Sequence, residues 1–210
     1  MARYASVRSA LIPAVLFAIA SLMGADEGAF RAKPASEYPS HQKQHDFTVG
    51  VMVYSGEQEM KEAFGKAKPF RYGVLPVLVV ITNNSDDALG LENLKVRFVP
   101  SGQDGLEPLP AEELAYVNAS TKPKERPSYI PRLPGLGKPK VKKGPLADEI
   151  FVQRGFQAPV VPPHSSASGF FYYLTGREPD PIPGASMYLN GLRNLSSGEE
   201  LFYFEIPLSR

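Results

Sequence analysis

Residues 77–81 read Val77-Leu78-Val79-Val80-Ile81, the most apolar run beyond the first 25 residues. A strand built from such a run has no face fit for water, so it must be covered on both sides. That requirement predicts a central strand within Phe70 to Thr82. Pro76 cannot donate a ladder bond and is placed near the strand's start.

The neighbouring segments alternate instead. Phe47, Val49, Val51 and Val53 interleave with Thr48, Gly50, Met52 and Tyr54, and Leu94, Val96 and Phe98 interleave with Lys95 and Arg97. A period of two with one apolar face is the signature of a half-exposed strand. Further strands are expected near Glu149 to Gln157, over Ala167 to Thr175, over Ala185 to Leu192 and over Glu200 to Leu208. In the last, Phe202, Phe204, Ile206 and Leu208 share a face. A short helix is expected from Ser55 to Gly65, with a capping box between Ser55 and Gln58 and Met60 and Phe64 one turn apart. A second is expected from Ala111 to Asn118, begun by Pro110. About seven short strands separated by turn residues predict an all-β antiparallel sandwich with one or two short helices. Val79, Ile81, Phe170, Tyr172, Phe202 and Phe204 are its expected core.

The N-terminus follows a different logic. Arg3 and Arg8 precede an apolar run from Ala10 to about Met23, followed by small residues and then Asp26 and Glu27. This is the order of a secretory signal peptide, too short to span a bilayer as a helix. Ala18-Ile19-Ala20 satisfies the small-x-small rule for cleavage after Ala20, Met23-Gly24-Ala25 would cut after Ala25 with a poorer residue at its first position, and an uncleaved anchor is the alternative. The expected organisation is a signal peptide at 1–25, a flexible lead at 26–45 and one sandwich at 46–210. The expected location is the periplasm or the medium, with no transmembrane segment after signal removal.

The chain has no cysteine, which excludes disulfides, thiolate ligands and a cysteine nucleophile. Net charge is +1, and losing Arg3 and Arg8 makes the mature chain −1. The bases are unevenly spread. Between 122 and 143 lie Lys122, Lys124, Arg126, Arg132, Lys138, Lys140, Lys142 and Lys143, against Glu125 as the single acid. Prolines recur at 123, 127, 131, 134, 139 and 145, so residues 119–146 are expected to form a basic excursion from the sandwich. Tyr129, Arg132, Lys138, Lys140, Lys142 and Lys143 are the candidate partner-binding residues, suited to phosphate or carboxylate groups of an envelope polymer or protein. The other reading is a linker kept soluble by its charge. Nucleic acid is not an expected partner, because the acidic remainder of the chain would repel it.

Two segments carry a resemblance. Val79-x-Ile81-x-Asn83-x-Ser85 with Leu89 and Leu91, and Pro162-Pro163-His164-Ser165 with Gly169-Phe170-Phe171-Tyr172, resemble the strand-and-turn segments of bacterial immunoglobulin-like domains. The resemblance spans about 47 to 208. It implies an immunoglobulin-like fold, which serves adhesion, binding, inhibition and spacing alike.

Motifs for chemistry are sparse. His41 and His45 have i, i+4 spacing, which could clamp a metal on a helix, but they fall in the polar lead. Asn83, Ser85 and Asp87 alternate as in a calcium loop, yet Ala88 and Leu94 replace its glycine and closing carboxylate; turn chemistry accounts for them. No nucleophile elbow or phosphate loop is present. No catalytic residue, metal or cofactor is assigned. The expected function is an exported non-catalytic binding or structural module of the bacterial envelope. The alternatives are an exported hydrolase, with Asp148-Glu149 or Glu178-Asp180 as acids by type, and a protease-inhibitor-like sandwich presenting the loop Glu178 to Gly184.

Overall fold

The computed structural model describes residues 30–118, 143–176 and 182–209. The signal peptide at 1–25, all but Lys143 of the candidate binding residues, and most of the Glu178 to Gly184 loop lie outside the described residues.

The chain is all-β and antiparallel. Its strands are β1 (Ser40–Gln44), β2 (Phe47–Val53), β3 (Val74–Asn83), β4 (Leu89–Gly90), β5 (Lys95–Val99), β6 (Val160–Val161), β7 (Ser165–Leu174), β8 (Ser186–Asn190), β9 (Arg193–Asn194) and β10 (Phe204–Pro207). Sheet order is β1-β2-β3-β7 on one side, with β10-β8-β5 and the short ladder β6-β4-β9 opposite. Seven of these strands have four or more residues.

The apolar run of β3 is buried on both faces, for two different reasons. Leu75, Val77, Val79 and Ile81 point between the sheets, where they meet Phe98, Met187, Leu189, Phe204 and Ile206. Val74, Leu78 and Val80 point the other way, into a second core. That core is closed by a helical layer: α1 (Glu57–Phe64), α2 (Ile150–Arg154) and a 3-10 turn at Ala111–Tyr116. Phe64 stands 5.4 Å from Phe151 and 4.8 Å from Phe170 by ring centroids. The molecule thus has three layers, and the central sheet is covered on both faces as its sequence demands.

Four expectations are corrected. The lead is not featureless between 30 and 45: β1 pairs with β2 from Ser40↔Val51 to Gln44↔Phe47, and Ala35 is fully buried. A Cβ at Gly50 would collide with the Ala35 carbonyl, so the lead lies directly on β2. The inward side chains of β1 are polar because they bond the open edge of β10. The Glu205 amide donates to Gln42 Oε1 at 2.9 Å, Gln44 Nε2 donates to the Tyr203 carbonyl at 2.8 Å, and the Ser209 amide donates to Ser40 Oγ at 2.8 Å. The seam hides a strand edge without a hydrophobic stripe.

The segment near Glu149 to Gln157 is a helix rather than a strand over Ile150–Arg154. Asp148 Oδ1 accepts from the Ile150 amide at 3.1 Å and starts the turn. Phe202 is 79% exposed, because β10 begins only at Phe204; Phe204, Ile206 and Leu208 do share the buried face. The helix α1 is capped one residue later than expected: Gly56, not Ser55, precedes it, and its amide donates to Glu59 Oε2.

Candidate functional site

An open groove of about 610 Å³ lies on the helical layer. One wall is α1, which buries Met60, Ala63 and Phe64 and turns Glu57, Gln58 and Lys61 outward. Gly65, at φ 63°, ends the helix by donating to the Lys61 carbonyl at 2.9 Å. The chain then runs through Lys66-Ala67-Lys68 into a 3-10 turn, Pro69–Tyr72, stopped by Gly73 at φ 79°. This path forms the other wall.

Buried Met60 and half-buried Ala67 and Phe70 give the groove an apolar floor. Lys61, Lys66, Lys68 and Arg71 are exposed around it. Glu57 is the one acid among the lining residues; Lys68 Nζ lies 2.9 Å from its Oε1 and holds its carboxyl below the usual range. Glu57 also feels the charge of Arg71, and Lys61 and Lys66 have no second acid in the lining. The groove was missed by motif reading. Its signal is the acid-free stretch Gly65-Lys66-Ala67-Lys68-Pro69-Phe70-Arg71, three bases in a connection between a helix and a strand.

Of the residues singled out earlier, Lys143 is exposed and lies next to Gly144, whose amide donates to the Ala115 carbonyl at 2.6 Å. At the other end of the same excursion, Asn118 Nδ2 donates to the Tyr72 carbonyl at 3.1 Å. Both described ends of the basic segment are therefore tied to the helical layer that carries the groove. Tyr129, Arg132, Lys138, Lys140 and Lys142 lie outside the described residues. In the Glu178 to Gly184 loop, Ile182 is core, and its carbonyl accepts from the Ala185 amide at 3.0 Å.

His41 and His45 do not form a helical pair. His41 lies on β1 with Nδ1 2.6 Å from the Tyr38 carbonyl, and His45 turns the hairpin into β2 at φ 51°. Asn83, Ser85 and Asp87 form a turn hub. Asn83 Nδ2 donates to the carbonyls of Asp87, Val161 and Pro162 at 2.7, 3.2 and 3.1 Å, while its Oδ1 accepts from the Ser85 amide and hydroxyl. Hydrogen bonds from Ser196 and Asn194 hold the Asp87 carboxyl below its usual value. His164 Nε2 lies 2.8 Å from Asp86 Oδ1 on the surface beside this hub. Among the described residues, no group of three or more potential ligands comes together.

No known protein family matches the chain, and no curated protein does. A crystal structure of a conserved hypothetical protein from Bacillus anthracis is similar over 80% of this chain and 92% of that one, at 12% identity and a TM-score of 0.35.

Proposed function

We propose that this chain is an exported, non-catalytic binding module of the bacterial envelope, with an immunoglobulin-like sandwich as scaffold and an anionic partner. The observation that carries the reading is the groove: four exposed bases around an apolar floor, with Glu57 as their single lined acid. Such an arrangement attracts carboxylate or phosphate groups and offers apolar contact once they arrive. Lys143, whose neighbour Gly144 bonds the Ala115 carbonyl, is an exposed base on the same layer. Asp148, a candidate acid of the hydrolase alternative, is engaged in starting α2. An inhibitor presenting the Glu178 to Gly184 loop is less well supported, since Ile182 is packed into the core.

Two experiments test this. Mass spectrometry of the exported protein is expected to find an N-terminus after Ala20 or Ala25; an intact chain beginning at Met1 in the cytoplasm would remove the export half. The mature chain is expected to be retained on washed bacterial envelope and on immobilised poly-glutamate, and to be released as salt rises from about 0.05 to about 0.5 M. A variant with Lys61, Lys66, Lys68 and Arg71 replaced by Ser should lose most retention with little change in melting temperature. A parallel variant with Lys138, Lys140, Lys142 and Lys143 replaced by Ser measures the share of the excursion. Full retention by both variants would move the binding surface away from the groove and the excursion, and no retention of the parent would leave a structural spacer.

A further inference from the structure

Resting on the reading of the groove as an anion-binding site, we infer that its occupant is an acidic peptide segment of a partner protein that inserts an apolar anchor side chain. Three observations lead there. The site is a concave groove rather than a flat or convex basic face, so a planar membrane surface cannot reach the floor where Met60, Ala67 and Phe70 lie. A protruding chain can.

The bases also come from successive segments of the lining. Lys61 stands on α1, Lys66 and Lys68 on the connection, and Arg71 within the 3-10 turn. Cations carried by successive segments suit carboxylates spaced along an extended chain. Arg71 is the base whose planar fork can take a carboxylate with two parallel bonds.

Finally, the floor has use only for a ligand with an apolar group. Met60 is flexible and polarisable, and Phe70 is half-buried, so the floor can adapt to an aromatic or branched anchor. A volume of about 610 Å³ accommodates one such side chain with a few flanking residues.

The test uses the full mature chain and a fluorescein-labelled peptide, Asp-Glu-Phe-Asp-Glu, read by anisotropy at low salt. Two controls replace the acids by their amides or the Phe by Ser. The acidic aromatic peptide is expected to bind at least about tenfold more tightly than either control, and Lys66→Glu with Arg71→Glu should weaken it by at least about tenfold at unchanged melting temperature. Equal binding of the Ser control would overturn the inference, since the floor would then play no part. Equal binding by the double variant would overturn it too. Co-sedimentation with phosphatidylglycerol vesicles that the peptide does not displace would replace the peptide by a membrane surface. Loss of envelope retention in the groove variant without any peptide binding would overturn the peptide and leave the anion-binding module standing. Peptide binding without envelope retention would do the reverse.

Discussion

Phe170→Ala is expected to destabilise the protein by about 3–5 kcal/mol, whereas Phe202→Ala should change stability by less than about 0.5 kcal/mol. Both residues are phenylalanines on or beside strands of the same chain, so the contrast isolates burial. Phe170 is 2% exposed on the helical side of β7. Its ring lies 4.8 Å from Phe64, 4.9 Å from Tyr54 and 5.3 Å from Phe30. Truncating it opens a cavity among rings fixed by three different segments, which cannot collapse together to fill it. Phe202 is 79% exposed and leaves no cavity. Urea unfolding of the two variants measures the difference. Similar losses would mean that the helical layer is not packed on the central sheet.

That contrast also marks how far the residues could be read in advance. The faces of β2, β3, β5 and β7 were legible because each alternates or runs apolar over at least four positions, and a one-residue error would place every side chain on the wrong face. Phe202 fits the same alternation as Phe204 and Ile206, but alternation does not say where a strand begins. The strand β1 was illegible for the opposite reason: Ser40, Gln42 and Gln44 turn inward as hydrogen-bonding groups, and a search for apolar faces passes over them. The helix α2 was read as a strand because Ile150, Phe151 and Val152 favour strands locally. Tertiary packing overrides that preference by sending Phe151 between Phe64 and Tyr172, where the Tyr172 hydroxyl donates to the Phe151 carbonyl at 2.8 Å. The groove is harder still to read. It is made by the angle between α1 and the connection after it, and only the acid-free run of bases hints at it.

Asn83→Ala is expected to cost about 2–3 kcal/mol, more than its small side chain would suggest. The residue ends β3 and is fully buried. Its amide nitrogen faces the carbonyls of Asp87, Val161 and Pro162, and its oxygen holds the Ser85 amide and hydroxyl. One side chain therefore pins the turn after β3 to the segment that leads into β7. Removing it leaves the buried Val161 carbonyl without this donor, at about 1–3 kcal/mol, and frees the half-buried Ser85 and Asp87 ends of the turn. Asn83→Asp sharpens the test, since shape is kept and only donors are lost. An ionised carboxylate would face three carbonyl oxygens, so the folded state should favour the protonated acid and raise its pKa above the unfolded value of about 3.9. With a raised folded pKa, the variant is least destabilised below about pH 3.9 and loses stability as pH rises toward the folded value, reaching a plateau above it. Denaturant midpoints of the variant and the parent, compared between about pH 3 and pH 8, give the measurement. A difference between the two proteins that stays flat with pH would mean that the Asn83 nitrogen does not face the three carbonyls, and the hub joining β3 to β7 would have to be redrawn.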